Sequence, residues 1–293
     1  MMMEEDMKQI QWNYADKRRV FRTDTHAAAS FLSFRVLEEM GFVVNGFSTR
    51  LGGASTGKFS TMNFSYSRGD DPEHVLENFT RMADALGVNR NRMVASWQTH
   101  TVNIRRVTRE DEGKGVIVSR DYRDVDGLIC AIPGITLVTF YADCVPLYFV
   151  DPVNRAVGLS HSGWRGTVNR MGEKTLQAMN KAFGTRPEDV TVCIGPSICK
   201  DCFEVGEEVV EEFQKNFARK DWERLWAKNG KPGKYQLDLW KANAVILEEA
   251  GVCRDRITVT NLCTRCNAEY LFSHRKCGEN RGNLAAFLGI AET

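Results

Sequence analysis

The chain has 293 residues, 43% of them hydrophobic and 26% charged, an ordinary globular composition far from the disordered and collagenous classes. Its 39 Lys and Arg against 38 Asp and Glu leave a formal charge of +1, which gives no overall electrostatic case for binding nucleic acid or an anionic membrane. No apolar run reaches the ~18 residues of a membrane span, and the acidic stretch at residues 1–7 lacks the apolar segment of a secretory signal. The nine cysteines, odd in number, are therefore expected as reduced thiols in a cytoplasmic protein.

The first ~20 residues are polar and irregular, the profile of a loosely held terminus or an edge strand. No linker, low-complexity stretch or repeat interrupts the rest of the chain, so the expected organisation is an extension over 1–30 and one domain over 31–291. Asp71-Pro72 reads as an N-cap with proline at the first helical position, followed by Val75, Leu76, Phe79, Met82 and Leu86 at helical spacing and a stop at Gly87. Strand-like runs come next at 135–141, 145–150 and 156–159, the last two joined by a turn at 151–154. Further helical stripes start at Val168, Val205 and, behind an Asp238 cap, Leu239, with strands expected at 190–194 and 257–260. The strands at 135–159 read as running together, which favours a mixed sheet and an α/β fold.

Reactive residues interrupt these strands. Asp143-Cys144 breaks an apolar stretch, and His161 ends the next strand, ahead of Ser162-Gly163-Trp164-Arg165-Gly166 and a helix. A hairpin turning at 151–154 places Cys144 beside His161, and His100 stands at the start of a strand-like segment, 102–107. Two chemistries suit the set. One is a thiolate nucleophile activated by an imidazole, as in a metal-free hydrolase. The other is a metal held by two imidazoles and a thiolate with an open fourth position, the pattern of catalytic zinc. Only the second uses His100. Asp143 can orient a ligand or act as a base, and Arg165 can bind an anion. Each residue taken singly has a plainer reading as a buried thiol or a satisfied histidine. Trp97, Phe140, Tyr141 and Trp164 flank the set and can stack on a planar ligand or fill core. Cys199-x-x-Cys202 and Cys263-x-x-Cys266 suggest a structural zinc knuckle, but the pairs lie about 60 residues apart, against about 15–20 in common ribbons.

Several segments, in order, closely resemble one family. They are the residues from Gly46 to Ser55, Gly69-Asp70-Asp71-Pro72, Gln98-Thr99-His100, Asp124-Val125-Asp126-Gly127, Tyr141-Ala142-Asp143-Cys144-Val145-Pro146, 161–166, Ile194-Gly195-Pro196, 202–206 and 261–267. The family is that of the laccase-domain purine nucleoside phosphorylases, first described as multicopper polyphenol oxidases. The resemblance implies a single domain with two mixed sheets packed between helical layers (α/β/β/α), shared with cysteine-dependent deamidating toxins. It implies a catalytic zinc on His100, Cys144 and His161. It also implies phosphorolysis of adenosine, inosine and methylthioadenosine to base and ribose 1-phosphate, with adenosine deamination in some members. The chain departs from the family at Ser162, at His274-Arg275-Lys276, and at Cys199 and Cys277.

Within that reading, Asp143, Cys144, His161 and Arg165 are the expected catalytic residues, and Arg50, Gln98 and Arg275 the expected substrate binders. Arg165 precedes a helix start and Arg50 sits in a Gly-rich turn, as a phosphate or ribose site requires. The expected partners are purine nucleosides and phosphate, with no nucleic acid or membrane; oligomeric state is not legible. A multicopper centre needs on the order of ten histidines, and this chain has five. A single copper can still use the zinc set, and with it a polyphenol oxidase activity.

Overall fold

The computed structural model describes residues 10–26 and 29–292; the acidic 1–7 stretch lies outside them. In chain order the strands are β1 (Phe21–His26), β2 (Ala29–Phe34), β3 (Val43–Ser48), β4 (Met93–Ala95) and β5 (Ile104–Arg106). Then come β6 (Gly127–Cys130), β7 (Thr136–Tyr141), β8 (Val145–Asp151), β9 (Ala156–Ser162) and β10 (Thr191–Ile194). The last five are β11 (Glu204–Gly206), β12 (Trp226–Lys228), β13 (Lys234–Leu237), β14 (Ile257–Val259) and β15 (Leu284–Ile290). The helices are α1 (Arg35–Glu38), α2 (Pro72–Leu86), α3 (Trp164–Val168), α4 (Met171–Phe183), α5 (Glu207–Asn216), α6 (Trp222–Leu225), α7 (Leu239–Glu249) and α8 (His274–Cys277).

Two six-stranded mixed sheets carry the fold. One is ordered β1-β2-β3-β15-β7-β4 and the other β14-β10-β8-β9-β6-β5; β11-β13-β12 form a small third sheet. Successive side chains of a strand point to opposite faces, and here both faces are buried. In β8, Tyr148 and Val150 meet Phe47, Leu137 and Ala286 of the facing sheet. Leu147 and Phe149 point the other way, toward Leu176 and Met179 of α4 and Ile246 of α7. On the far side, Val75, Phe79 and Met82 of α2 cover Val138, Ala285 and Phe287. The layers are therefore α/β/β/α in one domain. No helix among the described residues is long and apolar enough to cross a membrane.

Several local signals act as read. The Asp71 side chain accepts from Glu73 N–H, and Gly87 ends α2 in the left-handed conformation. The Asp238 side chain caps α7 by accepting from Lys241 N–H. Asp151 accepts from the N–H groups of Val153 and Asn154, making the turn between β8 and β9.

Four expectations need correction. β7 does not run on with β8 and β9 but belongs to the other sheet, so residues 142–144 cross between layers. The register of β8 and β9 pairs Val145 with Ser162 and Pro146 with His161, leaving Cys144 just outside the ladder. The turn reaches Arg155, at φ 46°, so Asp151 pairs with Ala156 and the register is shifted by two residues. The stripe from Val168 is split, because Arg170 at φ 61° separates α3 from α4. Val205 lies in β11 rather than at the start of α5.

Candidate metal centre and cavity

The crossover at 142–144 supplies the first ligand. Asp143 has φ 87°, a left-handed backbone that a non-glycine residue adopts only when its surroundings hold it there. Its carboxylate accepts from Thr264 Oγ1 and from the Arg275 backbone N–H, both at 2.6 Å, and its carbonyl accepts from Ile198 N–H at 3.0 Å. The bend turns half-buried Cys144 away from the strand. His161 leaves the end of β9, buried, and His100 comes from the 98–103 loop with φ 65°.

The Cys144 sulfur and one nitrogen of each imidazole all lie within 4.8 Å of one another. The rings of His100 and His161 are 5.0 Å apart at 78°. Zinc bonds of about 2.0–2.3 Å in a tetrahedron need donors roughly 3.5 Å apart, so the set fits one such ion with little movement. Gly163 leaves the room for it: a Cβ there would lie 3.0 Å from the Cys144 sulfur and 3.2 Å from the His100 ring.

Asp126, which was absent from the expected site residues, organises the set. His161 Nδ1–H donates to its Oδ1 at 2.8 Å, leaving Nε2 to face Cys144. The same carboxylate accepts from the N–H groups of Thr99, His100 and Thr101, and so holds the His100 loop. A carboxylate behind a ligating imidazole is the usual device that fixes its tautomer and direction. Burial pushes the Cys144 thiol up, but the His161 charge and hydrogen bonds from both imidazoles outweigh it and bring the thiol down to about 6. Burial lowers His161, and the Cys144 and Asp126 charges reverse this, raising it to about 9. Near neutral pH the two groups thus favour a thiolate facing an imidazolium, and a metal bound there would displace the imidazolium proton.

The set opens into a cavity of about 690 Å³, within the size range of small-ligand sites. Trp97, Phe140, Tyr141 and Trp164 all reach its wall, joined by Tyr66 and Phe203. Tyr141 is fully buried and bonded to Thr139 and Ser160, so it is core rather than platform. Gln98 also lines the cavity, with its amide engaged by Ser96 Oγ and by both backbone groups of Phe140. Arg275 lines it too, its Nη1 donating to Glu204 O at 2.9 Å.

Two expected anion binders are elsewhere. Arg50 donates to the carbonyls of Ser60 and Ala268 and lies over Phe272, outside the cavity wall. Arg165 is exposed and stacked 4.3 Å over Trp164, also outside the wall. Their neighbourhoods in sequence suggested phosphate loops; the Arg50 guanidinium is taken up by backbone carbonyls, while that of Arg165 lies exposed over Trp164. The cavity's cations are instead Arg68, Arg120, Arg275 and Arg281. Burial, and then the like charge of Arg68, holds the Arg281 guanidinium below its usual range. The two arginines form a positive patch beside Asp143 and Cys144, partly offset by Glu279, to which Arg68 is ion-paired at 2.5 Å. No local pattern announces that patch, because it unites residues more than 200 positions apart.

Fold and donor set define an α/β/β/α protein with a candidate metal-binding set that opens into a cavity. The chain belongs to the multi-copper polyphenol oxidoreductase laccase family, whose model matches residues 44–291. It is 36% identical over 253 residues to the purine nucleoside phosphorylase YlmD of Geobacillus stearothermophilus, covering 85% of this chain and 90% of that one. It is 34% identical over 266 residues to the adenosine deaminase RL5 of an unknown prokaryote, covering 87% and 98%. The crystal structure of the hypothetical protein YfiH from Bacillus licheniformis superposes with a TM-score of 0.86 at 31% identity, covering 93% of this chain and 99% of that one.

Proposed function

We propose that the protein is a zinc-dependent purine nucleoside phosphorylase, cleaving adenosine, inosine and methylthioadenosine with phosphate to free base and ribose 1-phosphate. The observation that carries this reading is the opening of the His100, Cys144, His161 set into a cavity that offers both aromatic faces and paired guanidiniums. Relatives named as phosphorylases support it. The name of one relative also supports adenosine deamination as a second activity of the same site.

The roles follow from chemistry and placement. Zinc on the three ligands would supply a Lewis acid at the cavity edge. Trp97, Phe140 and Trp164 offer faces on which a purine stacks. Arg68, Arg281 and Arg275 hold the phosphate dianion, taking the role first expected of Arg50 and Arg165. As the bond from the anomeric carbon to the purine nitrogen breaks, its electron pair leaves with the base and positive charge develops on the ribose. Asp143, whose two oxygens accept from Thr264 Oγ1 and Arg275 N–H, stabilises that charge, a phosphate oxygen closes on the anomeric carbon, and the proton of the hydrogen phosphate passes to the departing base. Gln98 holds Phe140 and the 96–98 segment in place rather than touching substrate.

Copper fits the same three donors and would bring an opportunistic oxidase activity. Of the five histidines, only His100 and His161 belong to a candidate metal group among the described residues, so a multicopper cluster does not fit. A metal-free Cys144–His161 hydrolase would leave His100 and the arginine patch without a task.

The test is incubation with inosine or adenosine, with and without phosphate, followed by chromatography. Base release that requires phosphate and disappears in His100→Ala and Cys144→Ala is the expected result. Full activity in both variants overturns the site, and base release indifferent to phosphate overturns the reaction.

A further inference from the structure

A second cluster of metal-ligating side chains lies outside the centre described above. The sulfurs of Cys199, Cys202, Cys263 and Cys266 are all within 4.8 Å of one another. Those of Cys202 and Cys266 are 3.4 Å apart, well beyond the ~2.05 Å of a disulfide, and all four are free thiols. We propose that these cysteines bind a structural zinc ion. Four thiolates at about 2.3 Å from zinc sit roughly 3.8 Å from each other in a tetrahedron, and the observed cluster brackets that spacing.

The backbone is shaped for such a site. Cys202 N–H donates to Cys199 O at 3.1 Å, and Asn267 N–H donates to Cys263 O at 3.1 Å, so each Cys-x-x-Cys pair sits on a tight turn. A parallel bridge between Ser197 and Cys263 sets the two turns side by side. The long sequence gap between the pairs is therefore immaterial, because the sheet supplies the proximity that a ribbon obtains from a short loop. Donors face the sulfurs as well: Cys199 N–H points at the Cys263 sulfur at 3.3 Å, and Arg265 Nη1 at the Cys202 sulfur at 3.3 Å. Four thiolates around a divalent ion carry a net −2, and these donors offset it. A closed four-sulfur set leaves no open position, so its role is to hold structure.

What it holds is the cavity wall. Ile198 and Phe203, flanking the first pair, line the cavity. Thr264, inside the second pair, donates to Asp143 Oδ1, and Arg275 Nη1 donates to the carbonyls of Cys202 and Glu204. The ion would clamp together the two loops that set Asp143 and Arg275. This site stands whatever reaction the cavity supports.

Elemental analysis of the purified full chain tests it. About two zinc ions per chain are expected, one for each donor set. About one is expected to remain in His100→Ala/Cys144→Ala, and about one in Cys199→Ser/Cys266→Ser. In case the second variant does not fold, the first leaves all four cysteines intact. Cobalt substituted into it should show the spectrum of a tetrahedral four-thiolate site, and a mercurial titrating the thiols should release its remaining zinc. No metal in His100→Ala/Cys144→Ala, iron in place of zinc, or an intact mass showing a Cys202–Cys266 disulfide would each overturn the proposal.

Discussion

Asp126 is not in the wall of the cavity, yet it accepts from His161 Nδ1, from three successive backbone N–H groups and from the Thr101 hydroxyl. Its charge therefore sets both the His161 tautomer and the His100 loop. Asp126→Asn keeps the size but places an amide donor against these donors. The expected result is metal affinity at the His100, Cys144, His161 site lowered about 10–100-fold, read by competition with a calibrated chelator, with secondary structure retained. Unchanged affinity would mean that the loop is held by other contacts. Gly163 offers a steric counterpart. Gly163→Ala places a methyl 3.0 Å from the Cys144 sulfur and should weaken metal binding about tenfold by displacing one donor. The three candidate donors that the fold brings together were legible in sequence because polar residues stand out against apolar strands. Asp126 was legible only as part of a matched motif. Arg68 and Arg281 were not, since an arginine's meaning depends on which distant segment it meets.

At the scale of elements, amphipathic helices were easier to read than strands. Helix α2 has one buried stripe, a proline start and a glycine stop, so periodicity and caps agree. β7 and β8 are apolar on both faces, and such a run does not tell which sheet a strand joins. That ambiguity hid the crossover on which Asp143 and Cys144 sit. A turn longer by two residues was equally invisible, and it moved Cys144 off the ladder. Loops are read least well, and the 107–114 segment after β5 shows what holds one. Asp111 is buried and accepts from Arg105 Nη2 at 2.7 Å, Lys114 Nζ at 3.0 Å and Thr108 N–H at 3.0 Å. Burial alone would raise its carboxyl; Arg105, Thr108 and Lys114 outweigh it and bring it to about 2. A carboxyl depressed in the folded state stabilises the protein above its unfolded value, near 4, and that stability is lost as pH falls toward 2. Denaturant unfolding across this window should therefore show wild type falling toward Asp111→Asn. The variant should be weaker by about 2 kcal/mol at pH 7, with the gap closing in acid. Parallel curves would exclude Asp111 as a source of the pH dependence.

Across the whole molecule, the two sheets are joined by more than apolar contact. Tyr148, in β8, donates its hydroxyl to Gly46 O of β3 at 2.9 Å, while Tyr141, in β7, donates to Ser160 O of β9 at 3.1 Å. Each sheet thus sends one fully buried tyrosine to the backbone of the other, which fixes how they slide against each other where dispersion alone would not. Removing either hydroxyl leaves a buried carbonyl without that partner, at a cost of about 1–2 kcal/mol. The two positions differ in what lies behind them. Tyr141 packs 5.6 Å from the His161 ring, and its acceptor is the residue just before that ligand. Tyr148 meets a carbonyl remote from the metal set. Tyr148→Phe should lower unfolding free energy and leave affinity at the His100, Cys144, His161 site unchanged. Tyr141→Phe should lower both, because a shift of Ser160 carries His161 with it. Calorimetric melting combined with chelator competition on the two variants separates these outcomes, and equal metal affinity in both would show that the sheets' alignment does not reach the centre.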